Sequence, residues 1–150
     1  MSEIRVDNIT DEAGTGAPEI VDHYKKSNIL GTVSESGGVP TGAIIERGSN
    51  ANGEFVKYAD GTLVCFIRVN LGSTEGLYDR NAVFPASFID TDYWVHGGGF
   101  TTGASRRIGN ITFGGGVGTT ETTNVDVRAE VFGSASGTNA VKLLISGRWY

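Results

Sequence analysis

The residues able to carry acid–base, nucleophilic or metal chemistry are few in this sequence and far apart. His23 and His96 are its two histidines, and neither has a His, Cys or carboxylate nearby at metal-ligand spacing. Cys65 is the single cysteine and lies in the most apolar segment, where a free thiol behaves as a small hydrophobe. We therefore interpret both histidines as solvated or structural, and the sequence predicts no metal site and no cofactor.

Three short patterns approach an active-site motif, but each lacks a required residue. The segment Gly133–Gly137 has alanine where a nucleophile elbow needs serine, so it is predicted to be a hairpin loop. Glycine runs at 97–99 and 114–116 do not complete a dinucleotide fingerprint. Asp90 and Asp92 lack the glycine and glutamate of a calcium loop. The chain is predicted not to be an enzyme; convergence of distant carboxylates leaves a polysaccharide depolymerase as a less favoured alternative.

Binding chemistry is better supplied, because aromatic and polar residues concentrate in segments predicted to be loops or strand ends. Sugars are bound by aromatic faces together with fixed polar groups, and loops are where such groups concentrate. An alternative is that alternate residues of 93–95 are core, and this alternative is favoured for Trp94 or its neighbours. The candidate receptor- or glycan-binding residues are Tyr78, Asp79, Arg80, Tyr93, His96, Arg106 and Arg107.

Charge and hydropathy exclude two classes of partner. With 17 acidic and 12 basic residues, the net charge of −5 provides no basic field for nucleic acid. No apolar run reaches the roughly 18 residues needed to span a bilayer, and the polar start Met1–Thr10 lacks the features of a signal peptide. We expect synthesis in the cytoplasm, no membrane insertion and no nucleic-acid partner.

The periodicity from Ala43 onward is that of short β-strands separated by turn residues. The segment Val125–Val131 alternates strictly, which predicts a half-buried strand with one wet face. Thr62–Asn70 is apolar on both faces, which predicts a central strand covered on both sides, by a second sheet or by another subunit, and Asp60-Gly61 before it is a hairpin signal. The other predicted strands are Ala43–Arg47, Glu54–Ala59, Val83–Ile89, Asp92–His96, Asn110–Phe113 and Ala140–Tyr150. Together with predicted glycine-rich loops at 97–99 and 114–118, they indicate an all-β fold, an antiparallel sandwich or small barrel.

The N-terminal third has a different pattern. Residues 1–17 are predicted to form an extended tail in which Ile4 and Val6 alternate, as in a strand added to another protein's sheet; a disordered leader is the alternative. Pro18 to Gly31 is predicted to form a short helix, because it carries helix end signals, and Ile20 and Tyr24 share one face that self-association would bury. Thr32 to Gly42 is predicted to be a linker.

Several stretches resemble bacteriophage fibre subunits. Residues 4–18 are similar to the leader of many tail-fibre and related virion proteins, and residues 42–65 to the start of their distal β-domain. Phe84–Phe88 and Ser146–Tyr150 resemble landmarks of H-type-lectin-like knobs, although the glycine-rich stretch at 97–118 departs from that pattern. No sugar-contacting residue is therefore carried over.

The resemblance implies a virion protein with three parts: an attachment tail at 1–17, a stalk at 18–41 and a β-knob at 42–150. It implies a homotrimer that joins other virion proteins through its tail and binds a host-surface receptor or glycan through its knob. The alternative is a structural head-fibre or decoration protein. The predicted attachment residues are Ile4, Val6 and Ile9, and the predicted trimer-interface residues are Ile20, Tyr24, Val64 and Phe66.

Overall fold

The computed structural model describes residues 29–102, 107–114, 121–133 and 137–150. The predicted tail and most of the predicted helix lie outside the described residues, and with them Ile4, Val6, Ile9, Ile20 and Tyr24. The strands within the described ranges are β1 (Glu35–Ser36), β2 (Val39–Pro40), β3 (Ile45–Asn50), β4 (Gly53–Tyr58), β5 (Thr62–Asn70), β6 (Gly76–Val83), β7 (Trp94–Thr101), β8 (Arg107–Phe113), β9 (Asn124–Phe132) and β10 (Asn139–Arg148).

The strands form two larger sheets and one small hairpin. The larger sheets have the orders β3-β4-β5-β10-β7 and β6-β9-β8, and all their neighbouring strands are antiparallel. Across the described residues neither sheet closes on itself, so the architecture is a sandwich rather than a barrel. The all-β prediction is confirmed.

The core lies between the two larger sheets and is built by period-two alternation. The inward-facing residues of β5 and β9 are buried, as are those of β10 apart from the partly buried Gly147, while the residues between them point outward. Burial of closely packed apolar side chains between the two sheets is the main stabilising contribution to a sandwich. The buried hydrophobic residues of this cluster are Leu63, Cys65, Ile67, Val69, Ala82, Phe84, Phe88, Val125, Val127, Ala129, Val141, Leu143 and Ile145.

The C-terminal residues close over the turn between β4 and β5. Gly61 takes a φ of 92°, and the Thr62 amide donates to the Asp60 carboxylate at 2.9 Å, so the predicted Asp60-Gly61 hairpin is confirmed. The Trp149 indole donates to the Tyr58 carbonyl at 2.9 Å, and the Tyr150 hydroxyl donates to the Ala59 carbonyl at 2.6 Å. The end of the chain thus fixes the start of β5.

Two predicted loops are wrong, for reasons that involve distant residues. Residues 97–99 lie inside β7. Glycine is required at two of these positions, because a Cβ at Gly97 would be 2.5 Å from the Phe113 ring and one at Gly99 would be 2.5 Å from Ile108 Cβ. The glycines therefore make room for the facing sheet rather than for a turn. The strands on either side of 133–137, β9 and β10, belong to different sheets and so do not pair as the predicted hairpin, and residues 134–136 lie outside the described residues.

Two other segments differ from the predicted pattern. The strand expected at Val83–Ile89 is instead the end of β6 followed by irregular chain, in which Phe84 and Phe88 insert into the core. The interval predicted as a linker contains the β1–β2 hairpin, and Val33 within it is buried. The Val33 amide donates to the Glu46 carboxylate at 2.9 Å, which ties this interval to β3.

Candidate interaction surfaces

The outer face of the five-stranded sheet carries a cluster of apolar side chains although no other part of the described chain covers it. Strand register places Phe66 of β5 opposite Leu144 of β10, and Leu144 opposite His96 of β7. The next row of the sheet holds Val64 and Trp94, on either side of Ser146. Trp94 is 73% exposed, Phe66 43% and Leu144 39%. We call this surface the aromatic face and define it by Val64, Phe66, Trp94, His96, Phe100 and Leu144.

Two cations border the aromatic face at one end. The Lys142 ammonium lies 4.9 Å from the Phe100 ring centroid, and the Arg68 guanidinium lies 5.6 Å from the same centroid. Lys142 and Arg68 are opposite one another on β10 and β5. A ring flanked by two cations is suited to an anionic or electron-rich partner.

The outer face of the three-stranded sheet is polar and acidic. Arg128 of β9 donates two hydrogen bonds to Asp79 of β6, at 2.6 and 3.1 Å, and these bonds hold the pKa of that carboxyl below its usual value. Asn81 donates to Asp126 at 3.0 Å, and Asn110 donates to Glu130 at 2.7 Å. We call this surface the acidic face and define it by Asp79, Asn81, Glu121, Asn124, Asp126, Arg128 and Glu130.

The predicted segment Tyr78–Arg80 lies within β6 rather than in a loop, and its side chains contact one another and their neighbours. The Tyr78 hydroxyl bonds the Thr74 hydroxyl at 2.9 Å and donates to the Thr74 carbonyl at 3.0 Å. Arg80 stacks over the Tyr78 ring at 5.3 Å. Strand β6 fixes the positions of the Tyr78–Arg80 side chains, and their polar atoms already form hydrogen bonds within the chain.

Tyr93 and Trp94 have opposite environments. Tyr93 stacks on Phe88 with ring centroids 5.0 Å apart, and its hydroxyl donates to the Glu121 and Asn124 carbonyls at 3.0 and 3.1 Å. Burial raises the pKa of this phenol. The core interpretation of 93–95 therefore holds for Tyr93 and Val95 and is wrong for Trp94, which points outward.

The remaining predicted binding residues are not brought together. His96 is exposed on the aromatic face, Arg107 is exposed at the start of β8, and Arg106 lies outside the described residues. Sequence reasoning missed Leu144 as a surface residue. A signal for Leu144 is present, because it is an apolar residue at an outward position of an alternating strand.

The described residues show no other site of reactive groups. They contain no cluster of three or more His, Cys, Asp or Glu placed to hold a metal ion, and no helix long and apolar enough to cross a membrane. Burial raises the pKa of the Cys65 thiol to about 11, which keeps it protonated at neutral pH.

The chain matches no protein-family model and no curated protein sequence. Its fold can be superposed on part of two solved fibre structures. One is the C-terminal part of the R1 pyocin fibre of P. aeruginosa, with a TM-score of 0.46, 17% identity, and coverage of 66% of this chain and 27% of that one. The other is an N-truncated R1-type pyocin tail fibre, with a TM-score of 0.46, 20% identity, and coverage of 66% of this chain and 82% of that one. The chain spans about a quarter of the first fragment.

Proposed function

We propose that this chain is a subunit of a bacteriophage fibre whose β-domain assembles with copies of itself and adheres to the host surface. The observation that carries the proposal is the aromatic face, which exposes Phe66, Leu144 and Trp94 when one chain is considered alone. A contiguous exposed apolar surface of this kind marks an interaction site in a water-soluble domain. Sister chains of a homotrimer would cover its centre, Phe66 and Leu144, and leave Trp94 and His96 on the edge strand β7 accessible.

The pattern of β5 supports burial by a sister chain. Its inward residues Leu63 and Cys65 are fully buried by the facing sheet, yet its outward residues Val64 and Phe66 are also apolar. A strand with one permanently wet face normally carries polar residues there. Self-association explains this composition, in agreement with the trimer-interface role predicted for Val64 and Phe66.

The N-terminal leader supports the virion location. Its similarity to the leaders of tail-fibre and related virion proteins is carried by residues 4–18. In this proposal Ile4, Val6 and Ile9 join the subunit to the particle, while the knob acts without catalysis. Weak individual receptor contacts would be strengthened by the presence of several copies on one fibre.

A structural decoration protein without a receptor is the second candidate. It is favoured by the hydrogen bonding of Tyr78, Asp79 and Tyr93, whose polar atoms are already engaged within the chain. Exposed His96 and Trp94 instead favour adhesion, because an exposed aromatic side chain is a suitable platform for a sugar ring. We place the adhesive role first.

The self-association is tested by measuring the mass of the full chain in solution by sedimentation velocity. We expect a trimer for the wild type and a monomer for the double variant Phe66→Ser/Leu144→Ser. Ile89→Ser is the matched control, because Ile89 is 55% exposed but lies outside the aromatic face. A monomeric wild type, or a double variant that remains trimeric, would contradict the proposal.

Adhesion is tested by asking whether the purified chain binds host cells and blocks phage adsorption. We expect both for the wild type and a loss of about tenfold or more in cell binding for Trp94→Ala/His96→Ala, since a stacked aromatic contributes about 1–3 kcal/mol to recognition and trimeric display multiplies the loss. Normal particle incorporation with no cell binding by the wild type would favour the decoration role. Release of reducing ends from host polysaccharide would instead indicate a depolymerase.

A further inference from the structure

We infer that the copies meet head to tail, with the centre of the aromatic face and its Arg68–Lys142 end docked on the acidic face of the next chain. This inference rests on the self-association proposed above and adds which surfaces touch. The two faces lie on opposite sides of one sandwich, since they are the outer faces of its two sheets. A contact between different patches repeats from copy to copy and closes into a ring when the rotation allows it.

The outer face of the five-stranded sheet, which contains the aromatic face, carries a surplus of positive charge. Strand register puts four cations and one carboxylate on this side of the five-stranded sheet: Arg47, Arg68, Lys142, Arg148 and Glu54. Within the described residues neither Arg68 nor Lys142 forms an ion pair, and both lie instead over Phe100. This end of the aromatic face therefore has positive charge without a carboxylate partner among the described residues of its own chain.

The acidic face has the opposite charge and its own apolar residues. Asp79, Asp126 and Glu130 point outward from β6 and β9, and Glu121 accepts a hydrogen bond from Asn124 at their edge. The outward cations of this sheet are Arg128, which pairs with Asp79, and Arg107 at the start of β8. Exposed Leu77 and Val83 lie near the two ends of β6 and would contact the apolar centre of the neighbouring copy.

A contact between two aromatic faces is disfavoured by the same charges. In a symmetric pair, the Arg68–Lys142 end of each copy meets the basic aromatic face of the other, and like charges brought together at an interface oppose association. Docking on the acidic face replaces this repulsion with attraction. It also places the apolar centre of the aromatic face against Leu77 or Val83 rather than in water.

The contact is tested by zero-length cross-linking with a carbodiimide, which joins a lysine amine to a carboxylate that touches it. Full-length chain is mixed from unlabelled and 15N-labelled stocks, so that mass spectrometry identifies cross-links between different copies. We expect mixed-isotope cross-links from Lys142 to Asp126, Glu130 or Glu121. Lys142→Arg, which keeps the charge and removes the amine, should abolish them. The absence of mixed-isotope cross-links from Lys142 to the acidic face, or a cross-link to Glu54 of another copy, would overturn the inference.

A second measurement keeps the inference independent of cross-linking chemistry. Asp126→Asn/Glu130→Gln removes two charges with little change of shape and should raise the dissociation constant of the assembly about tenfold at low salt. Asp90→Asn/Asp92→Asn is the control with the same change in net charge, and it should have no effect. An unchanged dissociation constant in the first variant overturns the head-to-tail contact alone. A monomeric wild type overturns the proposed self-association as well.

Discussion

Strands β5 and β9 are both central in their sheets, yet their outward faces differ. Each has nine residues and alternating burial, with Leu63 of β5 and Val127 of β9 fully buried between the sheets. The outward residues of β9 are Asn124, Asp126, Arg128, Glu130 and, at its end, Phe132, whereas those in the middle of β5 include Val64 and Phe66. The inner faces form the core of one chain, and the outer faces determine which partners the chain can contact.

The largest expected effect is the difference in free energy of unfolding between substitutions on the inward and outward sides of β5. Leu63→Ala removes a fully buried side chain and should lower the free energy of unfolding by about 2–5 kcal/mol in urea denaturation. Phe66→Ala, on the outward side, should cost about 1 kcal/mol within one chain. Its remaining cost should grow with protein concentration, because it comes from association. Equal, concentration-independent losses would remove the distinction.

A smaller effect makes the same comparison in β7. Gly99→Ala places a methyl group against Ile108 and should destabilise the fold by about 1–3 kcal/mol. Gly98→Ala is the matched control, because a Cβ there would have no atom within 4 Å. Alanine at this outward position should leave thermal stability unchanged or slightly raised. A tolerated Gly99→Ala would show that β7 does not pack against β8 in this way.

The two tryptophans provide a third comparison. Trp149→Phe removes the indole hydrogen bond to the Tyr58 carbonyl and should lower the free energy of unfolding by about 0.5–1.5 kcal/mol. Trp94→Phe changes a side chain that is exposed within one chain, so monomer stability should not change. Denaturation at low protein concentration measures both, and the reverse order would contradict the assignment.

The smallest expected effect lies on the acidic face. The pKa of Asp79 should be below its usual value because Arg128 donates two hydrogen bonds to the carboxylate. A lowered folded-state pKa contributes stability above the unfolded-state pKa, and this contribution is lost as the pH falls through the folded-state value. NMR titration of the carboxyl carbon measures the pKa, and Arg128→Gln should move it back toward the usual value. An unshifted Asp79 would show that the pair does not form in solution.

Sequence patterns predicted the strands whose neighbours are nearby or whose alternation is clean. The predicted Thr62–Asn70 has the bounds of β5, and Val125–Val131 lies within β9. Asp60-Gly61 identified its turn because the φ above zero and the Asp60 side-chain bond are local requirements. Two residues of the aromatic face, Val64 and Phe66, were predicted from the sequence as interface residues, because a strand that is apolar on both faces is expected to be covered on both.

Other features depended on residues far away in the chain. Gly97 and Gly99 look like a loop from the sequence, and only the approach of Phe113 and Ile108 from the other sheet explains them within a strand. Tyr93 and Trp94 are adjacent aromatics, and the pairing register that puts Trp94 opposite Ser146 on the outer face is why Tyr93 stacks on Phe88 while Trp94 is exposed.

The all-β class, the inward and outward alternation of the central strands and the turn before β5 could be predicted from the sequence, because they follow from local periodicity and backbone preference. Three features depend on the folded chain as a whole: which strands share a sheet, the separation of β9 and β10 into different sheets, and the joining of Leu144, Phe66 and Trp94 into one surface. Strand pairing over long separations depends on how whole faces fit together, and no local pattern of residues specifies that fit.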